Sequence, residues 1–209
     1  MPINDLEKKI FNGSLRAHET YQEMSGGWWL WHAPESFLQH EIARSIARRP
    51  SGQRNRREVF TETSPVKIQY EHDKPLRGRP PRKERQRQRF DVVVWQKTSN
   101  KVRAIIEIKR GGPEVFAQVA KDADKLKKYL SMKGAHGTGY LLFYSEASGS
   151  NRRPKIKDRI QTLSKRLKPR GWKQVKCKIG NRSGEPPDEK GRLWSWCICL
   201  MRFNRQQMT

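Results

Sequence analysis

The sequence predicts one α/β domain, a mixed sheet flanked by helices, and three observations carry that expectation. Helix-period segments bracket a run of strand-like segments; the middle strands are apolar on both faces; and Gly111-Gly112-Pro113 separates them from the strongest helix pattern. At 209 residues the chain is long enough for one good core. The expected order is helix, three strands, helix, strand, then a further helix and two strands. Residues 1–33 read as an N-terminal helical and aromatic segment. Residues 34–146 read as the core, with a basic loop at 71–89, and 147–209 as a basic C-terminal extension packed on it.

Residues 1–24 carry Leu6, Ile10, Phe11 and Leu15 at a weak helical period. Pro34-Glu35-Ser36 opens a clearer helix to Arg48, with Leu38, Ile42 and Ile46 as its apolar stripe. Glu58 to Tyr70 alternates as a strand, with Pro65 at a bulge or an edge. Phe90 to Gln96 and Val102 to Arg110 form a hairpin whose apolar residues on both faces place it centrally. Glu114 to Met132 is the next helix, with Phe116, Val119, Ala123, Leu126 and Leu130 facing the core. Tyr140 to Tyr144 is a short buried strand. A cationic helix over Ile156 to Leu167 and strands over Trp172 to Ile179 and Arg192 to Phe203 complete the chain.

Lys and Arg total 45 against 21 Asp and Glu, a formal charge of +24. That excess points to a polyanionic partner, above all a phosphate backbone. DNA is expected as the partner ahead of RNA, and the sequence leaves a monomer, a homodimer and a larger protein complex all open. No membrane association is expected, because no apolar run approaches the length of a span and no lipidation or amphipathic anchor signal stands near either end. Cys177, Cys197 and Cys199 make neither an even disulfide framework nor a zinc pattern; the latter two read as buried small hydrophobes. A reducing, cytoplasmic and nucleoid-associated location follows.

The hairpin holds the chemistry. Folded symmetrically about Ser99, it pairs residue i with residue 198 − i and sets Asp91 opposite Glu107, with Cβ atoms roughly 5 Å apart. Lys109 shares their face, because side-chain direction repeats every two residues. Like charges facing each other destabilise a sheet. Among Val, Ile, Ala and Trp, two opposed acids make sense when a divalent cation sits between them.

Asp91, the tripeptide Glu107-Ile108-Lys109, a preceding helix with Glu35 and a following helix with Gln118 occur in an order that resembles the PD-(D/E)XK nuclease superfamily. The resemblance covers roughly residues 34 to 146. It implies a restriction endonuclease-like αβββαβ core and metal-dependent phosphodiester hydrolysis, in restriction, repair, mobile-element processing or phage defence. It also implies Mg²⁺ or Mn²⁺ held by Asp91, Glu107 and the carbonyl of Ile108. Such hard cations take oxygen ligands and keep positions for water and phosphate. Lys109 would orient the attacking water or help deprotonate it, and offset charge in the transition state.

Glu35 shares the stripe that packs on the sheet, whereas Glu41 shares a flank with Phe37 and Ser45, so Glu35 is the expected helix ligand; the bland alternative is a first-turn acid favoured by the helix dipole. Gln118 is the expected active-site residue of the second helix, while Asp122 and Tyr129 read as a solvated face. A protein that keeps this fold and binds DNA or RNA without cutting it is the alternative function.

Before Asp91, Arg77-Gly78-Arg79-Pro80 resembles the core of an AT-hook, which lies in narrow A·T-rich minor grooves. The competing reading is a generic basic loop on phosphates, in which Arg82, Lys83, Arg85, Arg87 and Arg89 serve equally. Arg152, Arg153 and Lys155 begin a second basic surface suited to tracking phosphates. Trp28, Trp29, Trp31, Trp194 and Trp196 read as core or interface residues.

Overall fold

In the computed structural model, residues 4–28, 30–48, 57–64, 89–97, 99, 101–111, 115–131, 135, 137–148, 152–181 and 194–203 are described. They form a mixed six-stranded sheet flanked by four α-helices. Helix α1 (Asp5–Met24) starts on a capping box in which the Asn4 side chain accepts from the Glu7 N–H and the Glu7 carboxylate accepts from the Asn4 N–H. Helix α2 (Glu35–Ala47) follows a 3₁₀ turn at Leu30–His32. The two helices cross closely at Gly13, where a Cβ would meet the Ser45 Cβ at 2.8 Å. Only glycine lets these backbones approach so far.

Strands β1 (Arg57–Thr63), β2 (Phe90–Gln96) and β3 (Lys101–Gly111) form an antiparallel meander. Helix α3 (Val115–Leu130) then crosses to β4 (Thr138–Ser148), which runs parallel to β3. Helix α4 (Arg152–Leu167) leads to β5 (Trp172–Asn181) and β6 (Trp194–Phe203). The strand order is β1-β2-β3-β4-β6-β5, so the C-terminal strands continue the core sheet, β6 against β4 and β5 at the far edge.

Each face of the sheet has its own core. Leu6, Ile10, Leu38 and Ile42 of α1 and α2 cover Val92, Val94, Ile106 and Ile108. Val119, Ala123 and Leu126 of α3, with Ile156 and Leu163 of α4, cover Val93, Ile105 and Phe143. The central strands are buried on both sides, as their continuous apolar sequences require.

The hairpin departs from mirror symmetry about Ser99. Val92 pairs with Ile106, Val93 with Ile105 and Val94 with Ala104, but Trp95 pairs with Val102 and Gln96 with Lys101. Arg103 is the extra residue of a bulge. It turns outward and leaves Val102 on the same core face as Ile105, a face that strict alternation would have denied it. Gly137, at φ +96°, passes 3.0 Å from the Val102 carbonyl oxygen when given a Cβ, so the bulge also fixes a glycine there.

Candidate active site

The bulge lies at the turn end of the hairpin, so the far end keeps the register in which Val92 faces Ile106. The paired register ends there, and just beyond it Asp91 lies near enough to Glu107 for its charge to raise the proton affinity of that carboxyl. Asp91 Oδ2 accepts the Ile108 N–H at 2.6 Å, and its Oδ1 accepts from the Gln39 amide at 3.2 Å. The same amide nitrogen donates to the Glu62 carboxylate at 3.0 Å. Gln39 thus bridges α2 to the ends of both β1 and β2. Glu62 holds a left-handed φ of 53°, rare for a side chain with a Cβ.

Lys109 is the hub of the cluster. Its ammonium lies 3.4 Å from Glu35 of α2, 3.6 Å from Asp122 of α3 and 4.0 Å from Asp91. It also donates to the Ile108 carbonyl oxygen at 3.0 Å. A second lysine, Lys125, stands one helical turn beyond Asp122, with its Nζ 2.6 Å from Glu107 Oε1. Lys125 further donates to the Arg89 carbonyl oxygen at 2.8 Å and lies 5.1 Å from the centre of the Phe90 ring.

Glu35, Asp91, Glu107 and Asp122 set four carboxylates against two ammonium groups, a formal −2 when all are ionised. The two central acids feel the deficit. Burial, aided by Glu35, pushes Asp91 up to about 6 against the pull of Lys109, the Ile108 N–H and Lys125. Burial pushes Glu107 up to about 8, with Asp91 and Asp122 adding to the effect and Lys125 opposing it. Burial alone would lower the Lys109 ammonium, but Asp91, Asp122, Glu35 and Glu107 outweigh it and raise it well above the ordinary lysine range. Held protonated in this way, Lys109 donates to Glu35 and to the Ile108 carbonyl oxygen.

Among the described residues, no three His, Cys, Asp or Glu side chains form a group that could hold a metal ion. The set that the resemblance implies is instead the Asp91 and Glu107 side chains with the Ile108 main-chain carbonyl, and Glu35 as the helix ligand. Their donors are hard oxygens, and the raised proton affinities of Asp91 and Glu107 mark a place short of positive charge. That chemistry fits Mg²⁺ or Mn²⁺. Glu35 reaches the cluster through Lys109, while Glu41 pairs with Arg44 at 3.4 Å.

Several expectations change. Asp122 does not face solvent but holds Lys109, and Tyr129 is buried, its ring 5.1 Å from that of Phe90. Both follow from how far α3 rolls onto the sheet. Gln118 is exposed one turn before Asp122 and takes no part in the contacts described for the cluster. Trp28 is 57% exposed, standing edge-on to His32 rather than in a core; the side chains of Trp29, Trp31 and Trp194 lie outside the described residues. Trp196, Cys197 and Cys199 are buried.

Arg77, Gly78, Arg79, Arg82, Lys83, Arg85 and Arg87 lie outside the described residues, as do the side chains of Arg152 and Arg153. Arg89 and Lys155 are exposed. Among the described residues no helix is long and apolar enough to cross a membrane. Gln39 and Lys125 were missed in the sequence; their one signal was spacing, Gln39 a turn after Glu35 and Lys125 a turn after Asp122. Comparison of the chain with protein-family models, with curated proteins and with solved structures found no match.

Proposed function

We propose that the protein is a metal-dependent nuclease of the PD-(D/E)XK type, hydrolysing phosphodiester bonds of DNA at the Asp91, Glu107 and Lys109 cluster. The observation that carries this reading is the pair of buried, under-neutralised carboxylates gathered at the end of the β2–β3 hairpin, with the Lys109 ammonium beside them. The element order supports it as well. A helix bearing Glu35, a three-stranded meander, a crossover helix and a parallel fourth strand follow the αβββαβ order of that superfamily.

Asp91, Glu107 and the Ile108 carbonyl would hold the cation, which when bound supplies Lewis-acid activation and neutralises phosphate charge. The chain's own groups do the rest. Glu35, Asp122 and the Ile108 carbonyl hold the Lys109 ammonium in the cluster, where its charge would offset the charge that develops on a phosphate oxygen. Gln39 and the Ile108 N–H orient Asp91. The formal +24 of the whole chain draws the polyanion in.

The test is incubation of the full chain with plasmid DNA and with single-stranded RNA, in Mg²⁺, Mn²⁺ or EDTA, alongside Asp91→Ala and Lys109→Ala. Metal-dependent cleavage of DNA that both substitutions abolish is expected. Cleavage that survives either one overturns the site. Salt-sensitive binding without cleavage favours the binding protein.

A further inference from the structure

We infer that Lys125 is a built-in placeholder for the divalent cation: its ammonium neutralises Glu107 in the metal-free protein and gives up that contact when a cation enters. The inference rests on the proposed cation site and assigns a positioning role to a residue of α3.

The two lysines of the cluster divide the acids between them. Lys109 is shared among Glu35, Asp122 and Asp91, and Lys125 makes the ion pair with Glu107 at 2.6 Å. Glu107 is 1% exposed, and the Lys125 ammonium at 2.6 Å is the cation set against it, so whenever Glu107 ionises it is Lys125 that balances the buried charge. The pair is unequal. Glu107 is almost wholly buried, while the Lys125 side chain is 21% exposed and already holds two other partners, the Arg89 carbonyl oxygen and the Phe90 ring. Releasing Glu107 therefore strands neither the ammonium nor the strand end that carries Asp91. A divalent ion at Glu107 would replace one ion pair by a stronger one, and the lysine would stay tethered at the mouth of the site by Arg89 and Phe90.

An intramolecular competitor weakens cation binding. Removing its charge should therefore tighten binding, although the same change weakens the metal-free fold. A lysine with a merely structural role would move both quantities in the same direction.

The test is calorimetric titration of the full chain with Mn²⁺ under anaerobic conditions at pH 9, where Glu107 has released its proton, with the melting temperature measured in parallel with and without Mn²⁺. Lys125→Met should bind Mn²⁺ roughly tenfold more tightly than wild type, melt lower without metal and gain more on adding it. Lys125→Arg, which keeps the charge, should bind like wild type, and Asp91→Asn should not bind. Should Lys125→Met not fold, Lys125→Gln, which removes the charge and keeps a donor for Arg89, takes its place. Equal or weaker Mn²⁺ binding by the neutral variant, with wild type binding normally, overturns the placeholder and leaves the cation site standing. Failure of wild type itself to bind Mn²⁺ overturns both.

Discussion

Glu7 and Glu107 are each 1% exposed, and they lie on opposite faces of the same sheet. Glu7 closes a network. Its carboxylate accepts from the Asn4 N–H at 2.9 Å, from Tyr140 at 3.4 Å and from Arg202 at 2.7 Å, tying the start of α1 to β4 and β6. Glu107 has one lysine on one oxygen and the Asp91 carboxylate nearby. Burial is equal, but compensation is not. A buried acid with several donors aligned on it holds structure together, because separating it from them would leave charges stranded. A buried acid left short of donors stores unfavourable energy that a ligand can release, which is what a binding site needs.

The largest effect should come from breaking the open side. Asp91→Ala and Lys109→Ala should each lower the rate of cleavage by about a thousandfold or more, with far-UV circular dichroism unchanged. In contrast, Glu7→Ala should remove the buried acceptor shared by Asn4, Tyr140 and Arg202 and destabilise the fold by about 3 kcal/mol. That loss would be read from urea unfolding, with the surviving folded fraction still cutting. If Glu7→Ala costs no stability, the contrast between the two glutamates is lost.

A finer test is the response of stability to pH. In the metal-free fold Glu107 is pushed up to about 8 from an ordinary 4.5. Between those values the unfolded chain has released a proton that the folded chain retains. Stability is therefore full below 4.5 and falls as the pH rises through 8. Glu107→Gln should flatten that decline and gain about 2 kcal/mol at pH 9, while abolishing cleavage and the rise in melting temperature on adding Mn²⁺. The acid limb offers a control on the other face. His18 is brought down to about 4, by burial first and Lys178 second, so its contribution is present above 6.5 and lost as the pH falls toward 4. Glu107→Gln should leave that limb in place.

The α/β class and the strands and helices that carry it were legible because their apolar periods differ: two-sided runs in β2, β3 and β4, and a 3.6-residue stripe in α3. The nearness of Asp91 and Glu107 followed from the position of the turn, but the paired register ends at Val92 and Ile106, and Phe90 packs in the same cluster as Val93, so strict alternation does not extend to Asp91. The Arg103 bulge was not, because it changes no composition; it is set by the need to bury both Val102 and Ile105. Asp122, Lys125 and Tyr129 were misread or missed because a helix's flanking positions are settled by its roll on the sheet, which the stripe defines only to within a residue or so on either side. Gln39 stood among the core positions of α2 with nothing to mark that its partners come from β1 and β2. Trp28 was misjudged on the rule that aromatics are buried, although the turn at Gly26 and Gly27, both at positive φ, puts it at the surface.

The smallest effect separates strain from support. Glu62 takes φ 53° within β1, next to the site, and shares the Gln39 amide with Asp91. A non-glycine residue held there costs on the order of 1 kcal/mol, and glycine adopts the same backbone freely, at the expense of greater unfolded-state entropy. Glu62→Gly should therefore change stability by less than about 1 kcal/mol. Gln39 would lose one of its two acceptors and with it part of its hold on Asp91, so cleavage should fall severalfold, most clearly at low cation concentration. Gln39→Leu should reproduce that fall without relieving the backbone, and so should destabilise by about 1 kcal/mol. Matching losses of activity with diverging stabilities would place the orienting role in the amide bridge. Unchanged cleavage by both variants would confine the geometry of Asp91 to its bond with Ile108.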